Sequence, residues 1–226
     1  MKKVLITGMN GRIGGLLRRH LEALDGYELS ALNRSYLEGI ECHQADISDF
    51  EAMRPALDGK DVVVHLAAYP GQDDPALADE WPSHLSTNII GLYNLYEAAR
   101  QAGVKRVVYG SSGGAIGAFE RVPPYDAISQ GRYDQVPEIW PMITHEMVRP
   151  RGLEGVSKLW GEALGRHFSD AYDISVLCVR IGTVPANNRP PIGPVTYGTT
   201  WRRHRAIYLS HRDVVQVLHR CIDAPV

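Results

Sequence analysis

The chain has 226 residues, 44% of them hydrophobic, which is enough for one sizeable core and predicts a single domain over residues 1–226. Its 24 basic and 26 acidic residues leave a formal net charge of −2, so the basic excess typical of nucleic-acid-binding proteins is absent. No apolar run approaches the roughly 20 residues that cross a bilayer, and we expect no membrane association. The three cysteines lie far apart, which predicts reduced thiols, no metal site and a cytoplasmic protein.

The chain opens with a predicted strand, a tight turn and a helix. An apolar run is followed by three glycines at intervals of three residues, and then by apolar residues at helical spacing. Glycines let the backbone turn sharply and let a pyrophosphate reach the N–H groups at the start of the helix. The pattern predicts a dinucleotide site, and the expected contacts in this turn are Gly8, Asn10, Gly11, Arg12, Ile13 and Gly14.

The second predicted strand, Tyr27–Leu32, ends at the position that meets the adenosine ribose in dinucleotide-binding folds. An acid there accepts a hydrogen bond from a free 2′-hydroxyl, whereas a cation favours a 2′-phosphate. Asn33 and Arg34 occupy the position, and Arg12 lies in the glycine turn. This favours NADP, with NAD as the alternative; solvated loop cations are the other explanation of the two arginines.

Two further strands complete the first half of the predicted sheet. Asp46, at the end of the third strand, is expected either to accept from an adenine amino group or to cap the next helix. The fourth, Asp61–Ala68, is so continuously apolar that both of its faces must be covered, as in a parallel sheet. Strands and helices alternate, so the predicted class is α/β with a doubly wound parallel sheet.

Six short segments occur in a fixed order along the chain: Thr7–Gly14, Asp46–Ile47, His65–Ala68, Thr87–Ala99, Val107–Ser112 and Gly155–Lys158. Together they resemble the extended short-chain dehydrogenase/reductases of the epimerase/dehydratase type. The resemblance implies a Rossmann-like fold with a small C-terminal substrate-side region, and an NAD(P)-dependent oxidoreductase or epimerase. Trp81, Leu85 and the run Arg180–Thr183 are most similar to the uronate dehydrogenase type, which implies a small carbohydrate or sugar acid as substrate.

The resemblance also implies roles for individual residues. Asn88 would kink its helix and seat a water or the lysine, and Ser112 would bond the reacting hydroxyl. Beyond the glycine turn, the implied cofactor contacts are Asn33, Arg34, Asp46, Ile47, Leu66, Ala67, Ala68, Asn88, Lys158 and Ile181. The implied substrate contacts are Ser112, Gly113 and Thr183.

One position departs from the family pattern. The family carries Tyr-x-x-x-Lys, in which the tyrosine hydroxyl passes a proton, but here Glu154 stands four residues before Lys158. A carboxylate has no proton to give near neutral pH and is a weak base, and the two residues could simply form a helical ion pair. We therefore expect Ser112, Glu154 and Lys158 to form a catalytic set impaired by the replacement. The alternative is a cofactor-binding sensor or regulatory protein without turnover.

Two segments are expected on the substrate side. The insertion around 119–150 would cover the substrate or form a surface loop, and an irregular segment is expected around 183–207. Within the latter, the cations of Trp201–Arg205 would bind an acid or form a solvated turn. The resemblance further implies a homodimer through two long helices, roughly Leu85–Ala102 and Glu154–Phe168.

Overall fold

A computed structural model describes residues 1–70, 80–190, 192 and 201–226. In this part of the chain one sheet of six strands forms the centre of the protein. All neighbouring strands run parallel, in the order β3-β2-β1-β4-β5-β6. The strands are β1 Lys2–Thr7, β2 Tyr27–Asn33, β3 Glu41–Gln44, β4 Val62–His65, β5 Arg106–Ser112 and β6 Ser175–Ile181.

Helices cover both faces of the sheet, because its central strands are apolar on both sides. The helices are α1 Arg12–Glu22, α2 Phe50–Met53, α3 Trp81–Ser83, α4 Gly91–Ala102, α5 Tyr125–Gln130, α6 Gly152–Tyr172, α7 Trp201–Ala206 and α8 His211–Asp223. Leu17 of α1 and Leu218 of α8 belong to one hydrophobic cluster, and Leu95 of α4 and Phe168 of α6 belong to the other. The predicted doubly wound, Rossmann-like sheet is confirmed.

The helix predicted from about Leu85 is not a regular α-helix at its start. His84–Ile90 has π-helical hydrogen bonding and passes directly into α4. A π-helical turn places one more residue in the turn than an α-helix does, which turns side chains away from the regular 3.6-residue face. The apolar spacing of this segment did not reveal that insertion.

The two segments expected on the substrate side contain more regular structure than the sequence indicated. The 119–150 region includes α5 and the short 3₁₀ helix Tyr133–Gln135, and its end returns to the site through a hydrogen bond from the Arg149 amide to the Ala115 carbonyl. Trp201–Ala206 is a helix, so the expectation of an irregular segment through 207 is wrong there. Residues 191 and 193–200 of the expected segment lie outside the described residues.

None of the described helices is both long and apolar enough to span a membrane.

Candidate functional site

The glycine turn packs tightly against the end of β4. Gly8 has a φ of +69°, and a Cβ built on it would lie 2.7 Å from the Ala67 nitrogen. A Cβ on Gly14 would lie 2.5 Å from the Gly8 carbonyl oxygen. These two positions therefore require glycine, and Gly11 serves as the N-cap of α1. The free N–H groups at the start of α1 consequently face the carboxyl end of the sheet, where an anion binds favourably.

A cleft of about 410 Å³ opens beside this turn. Ten predicted cofactor residues line it: Gly8, Asn10, Gly11, Asn33, Arg34, Asp46, Ile47, Leu66, Ala67 and Ala68. Four further residues line the cleft that the sequence did not indicate: Leu32, Ser35, Ala45 and Thr87. Three of them stand next to predicted residues at strand ends, a position that could have indicated them. Thr87 lies in the π-helical segment, whose side-chain directions the sequence did not reveal.

Asn33 supplies a test of whether this cleft fits a dinucleotide. It is 5% exposed, lines the cleft, and neither atom of its side-chain amide has a hydrogen-bond partner among the described residues. A buried amide without partners costs about 1–3 kcal/mol, so a ligand that bonds to it is favoured. A ribose or an adenine edge offers both donors and acceptors, and the cleft therefore fits the predicted cofactor.

Asp46 stands at the cleft and does not cap the following helix. Its Oδ1 accepts from the amide and hydroxyl of Ser48, at 2.9 and 2.8 Å, whereas Asp49 caps α2 by accepting from the Ala52 amide. The hydrogen bond that the Ser48 backbone N–H donates lowers the pKa of Asp46. The hydrogen bond from the Ser48 hydroxyl and the charge on Arg34 lower it further by smaller amounts. Of the two alternatives for Asp46, the capping role is wrong.

Six predicted cofactor residues do not line the cleft: Arg12, Ile13, Gly14, Asn88, Lys158 and Ile181. Ile13 and Ile181 pack against the hydrophobic cluster that includes α1 and α8, and Gly14 provides room for α1 to approach the turn. The guanidinium of Arg12 donates from Nη1 to the Val184 carbonyl at 2.7 Å. That hydrogen bond holds Arg12 on the segment after β6, away from the cleft that Arg34 lines.

Asn88 connects the π-helical segment to α6. Its amide nitrogen donates to the Tyr69 carbonyl at 2.9 Å and to the Ser157 hydroxyl at 3.1 Å, and its oxygen accepts from the Tyr69 amide at 2.7 Å. The residue contacted on α6 is thus Ser157, the neighbour of the lysine that the resemblance implied. Asn88 fixes α6 against the segment that carries Thr87.

Lys158 lies buried against β5. Its Nζ donates to the Gly110 carbonyl at 2.7 Å and stands 5.1 Å from the centre of the Tyr109 ring. Burial lowers the pKa of Lys158, and the negative charge of Glu154 opposes that shift. The ammonium and the Glu154 carboxylate therefore attract each other inside the site. Gly110 was not predicted; it matters because its carbonyl holds the lysine.

The side chains of Ser112 and Glu154 both lie close to Gly114. A Cβ built on Gly114 would lie 2.5 Å from Glu154 Oε2 and 3.3 Å from Ser112 Oγ, so the carboxylate and the hydroxyl flank one point. The Ser112 hydroxyl accepts from the Gly114 amide at 3.0 Å, which leaves its own proton available for donation. Gly155 lets α6 approach, since a Cβ there would lie 2.5 Å from the Gly114 carbonyl oxygen. Two glycines thus shape this part of the site.

A row of buried side chains links the glycine turn to Lys158. Thr7, His65 and Tyr109 are register partners on β1, β4 and β5. The Thr7 hydroxyl accepts from the Leu66 and Ala67 amides, and therefore donates its proton to His65 Nδ1 at 2.7 Å. Burial, with the charge on Lys158, lowers the pKa of His65 to about 3, so the ring is neutral.

The predicted substrate residues Gly113 and Thr183 lie near the ends of β5 and β6. Gly113 starts the 3₁₀ turn Gly113–Ala115, directly after Ser112. The Thr183 amide donates to the Ile207 carbonyl at 2.8 Å, and its carbonyl accepts from the Leu209 amide at 2.9 Å.

Among the described residues, no three or more His, Cys, Asp or Glu side chains are grouped to hold a metal ion.

Comparison with known proteins gives a family and several sugar dehydrogenases. Residues 4–194 match the model of the NAD dependent epimerase/dehydratase family. The NAD-dependent glucose-6-phosphate dehydrogenase of Haloferax volcanii is 35% identical over 98% of this chain and 80% of its own length. The uronate dehydrogenase of Agrobacterium fabrum is 33% identical over 100% of this chain and 74% of its own.

Solved structures of the same type share the fold. The glucuronic acid dehydrogenase of Chromohalobacter salexigens superposes with a TM-score of 0.76 at 29% identity, covering 100% of this chain and 73% of that one. A mutant uronate dehydrogenase of Agrobacterium tumefaciens complexed with NAD gives a TM-score of 0.72 at 31% identity, with 100% and 74% covered. The fold, the glycine turn and these matches agree, and the chain belongs to the NAD dependent epimerase/dehydratase family.

Proposed function

We propose that this protein is an NAD-dependent dehydrogenase that oxidises a hydroxyl group of a small carbohydrate or sugar acid. One observation carries the proposal: the Glu154 carboxylate and the Ser112 hydroxyl flank one point above Gly114. A proton acceptor and a hydrogen-bond donor beside each other suit the deprotonation of an alcohol.

Each residue of the set has a distinct task. The Ser112 hydroxyl orients the reacting hydroxyl by donating a hydrogen bond. The Glu154 carboxylate accepts the proton that leaves the alcohol as its C–H bond breaks and a carbonyl forms. Bound NAD supplies the acceptor for the hydride. Lys158, held by the Gly110 carbonyl, places a positive charge near Glu154 and stabilises its ionised form.

The carboxylate also favours one direction and one reaction type. Glutamate side chains ionise near pH 4.3 in the absence of perturbing groups, so near neutral pH they accept a proton more readily than they donate one. Holding a carboxyl half-protonated at pH 7 would cost about 3.7 kcal/mol, at 1.36 kcal/mol per pH unit. Reduction and epimerisation both require a proton to be returned. Oxidation does not, and the proposal is therefore a dehydrogenase.

NAD is proposed in preference to NADP. Of the two cations that favoured a 2′-phosphate, Arg34 still lines the cleft, but Arg12 is bonded to Val184, so one of the two grounds for NADP is lost. The relatives support the same choice, because the glucose-6-phosphate dehydrogenase is described as NAD-dependent. The cofactor residues of the proposal are the ten predicted residues that line the cleft.

A homodimer through the outer faces of α4 and α6 is part of the proposal. Apolar side chains stand exposed there, among them Tyr93 at 49%, Leu153 at 45% and Val156 at 50%. Apolar positions of this kind on adjacent helices suit a two-fold interface.

A cytoplasmic location is also proposed, supported by the three free cysteines, Cys42, Cys178 and Cys221.

The decisive experiment follows the absorbance of reduced nicotinamide. Purified protein is incubated with NAD or NADP and a panel of sugars, sugar phosphates and uronic acids. The proposal requires NAD reduction with at least one of them. Cofactor binding by calorimetry without any turnover would favour the alternative, a cofactor-binding protein that performs no catalysis.

A further inference from the structure

Arg12 joins two parts of the site that lie 172 residues apart in the chain. It is the first residue of α1 and directly follows Gly11, which lines the cofactor cleft. Its guanidinium donates to the Val184 carbonyl at 2.7 Å in a partly buried position. A hydrogen bond from a charged donor is stronger than one between neutral groups, so this bond restrains the position of Val184 relative to α1.

Val184 lies in the segment after β6, which also forms hydrogen bonds with residues just before α8. The neighbouring Thr183, a predicted substrate contact, bonds through its backbone to Ile207 and Leu209. Val184 itself is 6% exposed and shares a hydrophobic cluster with Met9 of the glycine turn. The segment is therefore in contact with both the turn and the substrate side.

The same segment is fastened to the start of α8. The Pro185 carbonyl accepts from His211 Nε2 at 2.8 Å, and Asn188 Oδ1 accepts from the His211 amide at 2.7 Å. Asn188 adopts a left-handed φ of +53°, which this bond helps to hold. Residues 183–188 thus form a bridge between α8 and the glycine turn, and Arg12 is the polar contact at the turn.

We propose that Arg12 is a positioning residue that couples NAD binding at the glycine turn to the order of residues 183–188, and so to sugar binding. A pyrophosphate bound at the start of α1 fixes that end of the helix. Through its hydrogen bond, the Arg12 guanidinium then restrains the Val184 carbonyl. Residues 183–188 are therefore already ordered and lose less conformational entropy when the sugar binds. The part that concerns the sugar rests on the proposed function, whereas the part that concerns NAD does not.

The test is hydrogen–deuterium exchange of the full chain with and without NAD. In the unmodified protein, NAD should slow exchange of the Thr183 and Leu209 amides about tenfold, a typical coupling between two sites. Arg12→Met keeps an apolar stem but removes the donor, and NAD should then leave these amides unchanged. Arg12→Lys, which keeps a charged donor, should restore part of the effect. Arg19 is, like Arg12, an exposed arginine of α1, but it makes no hydrogen bond to residues 183–188 among the described residues, so Arg19→Met should behave as the unmodified protein does.

Calorimetry on the same proteins separates positioning from direct binding. The affinity of Arg12→Met for NAD should stay within about threefold of the original value, because Arg12 does not line the cleft. Unchanged NAD-induced protection in Arg12→Met would overturn the proposal, as would a tenfold loss of NAD or NADP affinity. Where a sugar is oxidised, Arg12→Met should raise its KM about tenfold with little change in kcat. Lack of turnover with every sugar would defeat the proposed function, while the exchange result would still decide the role of Arg12.

Discussion

The carboxylate of Glu154 occupies the space in which a side chain on Gly114 would begin, since a Cβ there would fall 2.5 Å from Glu154 Oε2. The two positions are 40 residues apart, yet the absence of a side chain at one makes room for the charge at the other. The sequence pattern does not connect these two positions. The structure makes them one local arrangement.

Glu154→Gln should lower kcat by about 10²–10⁴-fold, the usual contribution of a positioned base, with little change in NAD affinity. The amide keeps the size of the side chain but cannot accept the proton. Glu154→Tyr returns a group that both accepts and donates, and should raise the rate of sugar reduction above that of the unmodified protein. Steady-state kinetics in both directions would measure this. Full oxidation activity in Glu154→Gln would show that another group is the base.

Gly114→Ala should cost about 10²-fold in kcat, because its methyl group must displace the Glu154 carboxylate by about an ångström. Gly15→Ala is the matched control, since a Cβ there would stand 3.6 Å from both Arg19 Nη1 and the Met9 carbonyl oxygen, which are ordinary contacts. The cost of Gly114→Ala should largely disappear in a Glu154→Ala background, as a double-mutant cycle would measure. Equal losses in both backgrounds would mean that the two residues are independent.

Arg34→Ala should weaken NADP binding about tenfold and leave NAD binding nearly unchanged, because Arg34 is the one of the two predicted cations that lines the cleft. Arg12→Met should leave the ratio of the two affinities as it is. Calorimetric titration of both cofactors into each variant gives the numbers. An unaltered ratio in Arg34→Ala would show that this cation takes no part in cofactor choice.

His65 should make the fold sensitive to acid. Its pKa is lowered to about 3 in the folded protein and stands near 6.5 in the unfolded chain, so the unfolded chain binds the extra proton between these values. The contribution of His65 to the free energy of unfolding is therefore fully present above pH 6.5 and is lost as the pH falls towards 3. The free energy of unfolding should drop by about 2 kcal/mol between pH 7.5 and 5 from this residue. Denaturant titrations of the unmodified protein and His65→Asn should differ by that pH dependence; parallel pH profiles would contradict it.

Light scattering should give the mass of a dimer at micromolar concentration. Val156→Glu places a charge on the exposed apolar face of α6 and should yield monomers, because a charge buried without a partner disfavours an interface. Tyr133→Glu alters a side chain that is 62% exposed and lies in the 119–150 region, and should leave the dimer intact. A monomer mass for the unmodified protein would rule out the proposed interface.

The sequence by itself determined the class of the fold and most of the cofactor cleft. Strand and helix periodicity and the spacing of Gly8, Gly11 and Gly14 are local properties, which depend on residues a few positions apart. The ends of parallel strands meet at one edge of a sheet, so Asn33 and Asp46 could be placed together without coordinates, and the family resemblance implied Leu66 beside them.

The tertiary structure decided what depends on residues far apart in the chain. The spacing of the arginines could not indicate that Arg12 bonds to Val184 whereas Arg34 lines the cleft, because a long side chain can reach several partners. The π-helical turn of His84–Ile90 likewise has no distinct apolar period. The fit of Glu154 over Gly114 is a matter of tenths of an ångström between β5 and α6, and only close packing of these two elements fixes it.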